Sequence, residues 1–189
     1  NAMTNYVPTT NLAANKALVI DTTVPVISST APATSASINS ITTSSDVSYT
    51  LSEAIASGTI VMTRTGGTAD ASSPRTCTLV GTALNTGAHS AFDMSNTTNG
   101  CTIAQSLVDG TVYTFAFNAT DVAGNAATQV SNTGVTFDTT APTVTTLSPA
   151  DNATGVSTTA NLVMTFSETV AVNSTWSSGP NNGGTFADD

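Results

Sequence analysis

The chain nearly repeats itself. Asp21-Thr22-Thr23-Val24-Pro25-Val26 returns 117 residues later as Asp138-Thr139-Thr140-Ala141-Pro142-Thr143, and each copy meets a second proline at the same spacing, Pro32 and Pro149. A later pair, Thr50-Leu51-Ser52-Glu53-Ala54-Ile55 and Thr165-Phe166-Ser167-Glu168-Thr169-Val170, matches 115 residues apart, so the likeness runs through a whole segment with a small change of length. One period is about one domain long, and the sequence reads as part of a tandem array. The phase of the repeat suggests a division: residues 1–20 are expected to be a tag remnant, Asn1-Ala2-Met3, and the closing strand of a preceding repeat; residues 21–140 one complete domain; and residues 141–189 the truncated start of the next.

The vocabulary is that of strands and turns. Thr and Val suit pleated strands, while Asn, Gly and Ser supply turns, and no stretch of ten residues keeps a helical apolar period. Thr111–Thr120 is the clearest strand, with Tyr113, Phe115, Phe117 and Ala119 on one side. Val47, Tyr49 and Leu51 alternate in the same way, and so do Ile60 and Met62 against Val61 and Thr63. A first edge strand is expected over Val24–Ser29, since Pro25 removes a ladder donor, and a last strand over Ala126–Phe137. Between Thr65 and Asp109 the pattern blurs: Cys77 and Leu79 suggest one strand, and Ala91–Met94 or Cys101–Ile103 offer others. Tyr113 follows the turn Leu107-Val108-Asp109-Gly110, where a sandwich places its tyrosine corner. The expected fold is all-β, an immunoglobulin-like β-sandwich of about seven strands, with a partial second repeat.

Charge excludes one class of partner. The net charge is −9 and Lys16, Arg64 and Arg75 are the only basic side chains, whereas nucleic acid needs clustered cations. No run of eighteen apolar residues spans a membrane. Catalysis has little support: His89 is the only histidine and lies in the small-residue loop Gly87-Ala88-His89-Ser90, with no nucleophile elbow nearby. The chain is expected not to be an enzyme. Cys77 and Cys101 are either two buried thiols or a disulfide, and the extracellular look of the composition favours the bridge.

Ala119-Thr120-Asp121-Val122-Ala123-Gly124-Asn125, Asp109-Gly110-Thr111-Val112-Tyr113 and Asp138-Thr139-Thr140-Ala141-Pro142 resemble the bacterial Ig-like repeats of large secreted adhesins and biofilm-associated surface proteins. Ser148-Pro149-Ala150-Asp151-Asn152, with Met164-Thr165-Phe166-Ser167-Glu168, is similar to Ig-like modules of S-layer-type proteins. The cysteines depart from the inter-sheet positions of antibody domains, so a bridge would staple the irregular middle region. The resemblance implies an extracellular or cell-surface bacterial module, a stalk or spacer that can also serve adhesion, with neighbouring repeats and a glycan or cell-surface ligand as partners. The competing reading is a carbohydrate-binding or accessory domain of a secreted enzyme. The half sandwich over 141–189 exposes a sheet edge, and strand-swapped self-association through it is a further expectation.

In such a sandwich the incoming linker, the loop after the second strand and the loop between the last two strands meet at one pole. Those places hold Asp21, Glu53, Asp121 and Asn125, and the second repeat restates two of them as Asp138 and Glu168. Oxygen ligands of this kind suit a hard cation, and the resemblance implies the same, calcium being the ion that stiffens such junctions. The same residues also suit Asx-type caps of the hairpin and the linker turn, and both readings stand on the sequence.

Overall fold

Residues 20–42 and 45–170 are described by the structure, a computed structural model, and they fall into two compact units divided between Thr139 and Thr140. The first unit contains β1 (Ile27–Ala31), β2 (Ser37–Ile38), β3 (Ser48–Leu51), β4 (Ser57–Gly67), β5 (Arg75–Thr78), β6 (Gly87–His89), β7 (Thr111–Thr120) and β8 (Val130–Phe137). They form two sheets, β1-β3-β6 and β2-β8-β7-β4-β5. Pairing is antiparallel throughout except for β2 on β8. The first stretch of chain therefore serves both sheets, and the architecture is the immunoglobulin-like sandwich that the alternation implies.

Inward residues at every second position seal the space between the sheets. In β7 the burial alternates without a break, and Tyr113, Phe115 and Phe117 are almost wholly enclosed. Val47, Tyr49, Leu51, Ile60, Met62, Val135 and Phe137 complete the layer, and the Tyr49 ring lies 6.3 Å from that of Phe117 across it. Burying each large side chain contributes about 1.5–3 kcal/mol before chain entropy is set against it. Packing is close at Gly58: a Cβ there would lie 2.8 Å from both Ile55 Cδ1 and Leu79 Cδ1, so any larger residue displaces those two side-chain ends.

Several expectations are corrected. β1 begins at Ile27 rather than Val24, because Pro25 is buried ahead of the strand and Val26 spends its donor on the Ser52 side chain. β8 begins at Val130, and Ala126 makes only an isolated bridge to Thr120. Gly87–His89 is an edge strand on β3 and not a loop, which brings the first unit to eight strands. His89 is half-buried, stacked on Tyr49 at 4.6 Å. Neither Ala91–Met94 nor Cys101–Ile103 is a strand, although Phe92 and Met94 are core residues and Leu79 bridges Cys101.

The second unit repeats the opening of the first. β9 (Val144–Ser148) and β10 (Val163–Phe166) are β1 and β3 displaced by the two sequence offsets, and they keep the pairing at both ends: Val144 faces Phe166 as Ile27 faces Leu51, and Ser148 faces Val163 as Ala31 faces Ser48; between them the bulge shifts, so that Thr165 faces Thr146 where Thr50 faces Ser28. Val26 N donates to Ser52 Oγ at 2.9 Å and Ser52 N returns a bond to Val26 O at 3.1 Å. Thr143 and Ser167 make the same exchange at 3.0 and 2.8 Å. Both strands run into a cis proline, at Pro32 and Pro149, followed by a left-handed residue three positions on, Ser35 (φ 63°) and Asn152 (φ 59°). Burial differs: Ile27 is 8% exposed and its counterpart Val144 47%, because among the described residues β10 pairs only with β9 and no second sheet covers them. Residues 1–19, most of the segment expected as a tag and a closing strand, and residues 171–189 of the expected partial repeat lie outside the described residues.

Candidate functional site

Three chain segments converge at the pole of the first unit where the chain enters. The incoming linker carries Asp21, the turn after β3 carries Glu53, and the β7–β8 hairpin carries Asp121 through Asn125. The turn after β3 is fixed by the Val26–Ser52 exchange and by Ala56 N donating to Thr120 O at 2.8 Å. The hairpin is closed by Asp121 N donating to Asn125 O at 3.0 Å. Carboxylate oxygens of Asp21, Glu53 and Asp121, one from each, all lie within 4.8 Å of one another. Asp21 is exposed, Glu53 half-buried and Asp121 buried.

Asn125 braces this group. Its backbone N donates to Asp121 Oδ1 and its side-chain Nδ2 to Asp121 Oδ2, both at 2.8 Å, and the same Nδ2 donates to the Asp21 carbonyl at 3.1 Å. The cap role weighed for Asp121 and Asn125 is thus present, and it leaves the carboxylates of Asp21 and Glu53 beside the capped one. Burial raises the Asp121 carboxyl, but the donors of Asn125, Gly124 and Ala123 outweigh it and hold the group below the ordinary carboxylate range. The result is a negative, oxygen-only cluster of a kind that suits a hard cation. Asp138 closes the first unit, its N–H donating to Ile38 O at 2.9 Å, whereas Glu168 belongs to the second unit and is half-buried.

Tyr113 is held as a corner tyrosine. Its hydroxyl accepts from Val108 N at 3.1 Å, five residues upstream, and donates to Asp70 Oδ2 at 2.8 Å. Asp70 also takes two bonds from the Arg75 guanidinium, at 2.7 and 2.9 Å, with the carboxylate almost sealed from water. The Arg75 bonds, against the cost of burial and with help from Tyr113 and Ser72, pull the Asp70 carboxyl from the ordinary 3.8 to about 2. Sequence reasoning missed this trio. A signal was available: with so few cations, an Arg five residues after an Asp and beside Pro74 calls for a partner.

Cys77 and Cys101 are bridged, with Cα atoms 4.9 Å apart. The bond ties β5 to the irregular segment before β7, while Tyr49 and Phe117 occupy the centre between the sheets.

With the geometry in place, residues 138–185 match the family model of the bacterial Ig-like domain. No curated protein and no solved structure matches the chain. The matched stretch opens at Asp138, where the repeat opens, and the first unit shares its opening strands and hydrogen bonds in register. Residues 138–185 are thus similar to the bacterial Ig-like domain, and no helix among the described residues is long and apolar enough to cross a membrane.

Proposed function

We propose that the chain is a non-catalytic stretch of a tandem Ig-like array on the outside of a bacterium, in which each unit acts as a spacer or stalk segment for an adhesive structure. The observation that carries this reading is the in-register recurrence of β1 and β3 as β9 and β10, down to the reciprocal Val26–Ser52 and Thr143–Ser167 bonds. An array is the usual setting in which a fold restarts at a fixed period. A disulfide in the first unit suits an oxidising exterior. The accessory sugar-binding alternative draws no support from the described residues of the first unit, among which Tyr49, Phe92, Tyr113, Phe115, Phe117 and Phe137 are all buried and none offers a face for a sugar ring to stack on. The test is surface labelling: an antibody raised against the first unit stains intact cells of the source bacterium, and stain that appears only after permeabilisation refutes the reading.

We further propose that the entry pole binds Ca²⁺ through Asp21, Glu53 and Asp121, with Asn125 orienting Asp121. The proximity of the three carboxylates favours it, since like charges held this close repel unless a cation lies between them. Calorimetry with millimolar Ca²⁺ gives a binding heat that D121N abolishes; no heat, and no fall in melting temperature with chelator, refutes it.

A further inference from the structure

The two ends of the first unit are seen in different states, and the repeat makes them comparable. At the outgoing end, the corner before β7 grips the chain as it leaves β8. Gly110 N donates to Phe137 O at 2.8 Å and Asp138 N to Ile38 O at 2.9 Å. Thr139 then gives both its N–H and its hydroxyl to Asp109 Oδ1, the hydroxyl at 2.9 Å. At the incoming end the counterparts of Phe137, Asp138 and Thr139 are Ile20, Asp21 and Thr22.

Of these three, Asp21 is held from within the unit it enters. Asn125 donates to its carbonyl, and its Oδ1 accepts from Thr23 N at 2.9 Å. Ile20 and Thr22 are not held. Ile20 is 77% exposed where Phe137 is 8%, and among the described residues nothing accepts from the N–H or hydroxyl of exposed Thr22. At the outgoing end the Asp-Thr pair is tied to the unit it leaves, Asp138 through its N–H and Thr139 through its N–H and hydroxyl; at the incoming end Asp21 is tied to the unit it enters and Thr22 shows no tie among the described residues.

We propose that Ile20–Thr22 is the receiving half of a joint, and that its partner is a preceding unit of the same fold with an acidic residue at the position of Asp109. In the assembled joint Ile20 enters the preceding unit's core as Phe137 does here, Thr22 donates twice to that unit's corner carboxylate, and Asp21 stays on the unit that follows. This rests on the tandem-array reading and adds the residues that make the connection.

The test compares amide hydrogen exchange at Thr139 and Thr22. In the 189-residue chain Thr139 is protected at least tenfold more than Thr22, and D109A removes the difference, with D109N, which keeps an acceptor oxygen, restoring part of it. In a chain duplicated in register, residues 1–138 followed by residues 22–189, Thr22 of the second copy gains at least tenfold protection, and D109A in the first copy abolishes it. If both copies fold and Thr22 still exchanges freely, the joint is refuted while the array reading stands. If the second copy does not fold in register, the array reading falls.

Discussion

Replacing Asp70 by Asn puts the buried corner network to a quantitative test. The carboxylate takes two bonds from Arg75 and one from Tyr113, and its pKa falls from the ordinary 3.8 to about 2. A folded-state pKa below the unfolded one means that the unfolded chain binds the proton more readily. The contribution is therefore complete above about pH 4 and drains away as the pH falls towards 2. A shift of that size corresponds to about 2.4 kcal/mol at about 1.36 kcal/mol per unit. The site lies just beneath the surface and Arg75 keeps some contact with water, which lowers the figure to about 1–2 kcal/mol. An amide can still accept one bond but cannot pair with the guanidinium, so D70N loses about 2 kcal/mol at pH 7, or roughly 8 °C in melting temperature for a domain of this size. Urea melts of both proteins from pH 7 to pH 2 isolate the residue, since every other carboxylate titrates alike in the two. The stability gap should shrink by about 1–2 kcal/mol between pH 4 and pH 2. A gap that stays constant across that window would show that Asp70 is not held ionised by its partners, and the reasoning would fail.

Other consequences are simpler to read. Reducing the Cys77–Cys101 bond, which closes a 24-residue separation, should cost about 3 kcal/mol in chemical denaturation, with the near-ultraviolet signal of the folded state retained below the transition. Phe117→Ala removes the ring that meets Tyr49 between the sheets and should cost about 3–5 kcal/mol in the same assay. Asn125→Ala takes a side-chain donor from Asp121 and from the Asp21 carbonyl; the Asp121 carboxyl then titrates at higher pH in a carbon-detected NMR titration, and an unchanged midpoint contradicts the bracing role.

Strands that alternate were legible in the sequence. Thr111–Thr120 was readable residue by residue because one face had to be buried and its aromatics sit at every second position. The repeat likewise gave the phase of β9 and β10, since a restarted sequence restarts the same local bonds. The unreadable parts were those whose structure comes from a distant partner. Gly87-Ala88-His89 has no strand propensity of its own; it is a strand because β3 offers a free edge and Tyr49 a ring for His89 to stack on. The start of β8 was misjudged because Ala126 and Ala127 look extended, while only from Val130 does the ladder to β7 take hold.

At the entry pole, topology alone brought Asp21, Glu53 and Asp121 to one end, because loops of a sandwich cluster by strand order and not by sequence distance. What topology could not give was the direction of each donor. Asn125 serves Asp121 with both its backbone and its amide nitrogen, and that becomes visible only once the hairpin is closed. Asp70 was hidden for the opposite reason: it lies in the blurred stretch after β4, and although Arg75 is near in sequence, its other side-chain partner, Tyr113, comes from β7, far along the chain.

The most direct test of the account is single-molecule stretching of the in-register duplicated chain under oxidising conditions. Two equal steps are expected, one for each copy of the first unit. Each releases the 117-residue period less the 24 residues locked by the disulfide, about 300 Å at about 3.5 Å per residue once the folded length is subtracted. A single cooperative step, or two unequal ones, would contradict the claim that the chain is built from independently folding units of one repeating kind.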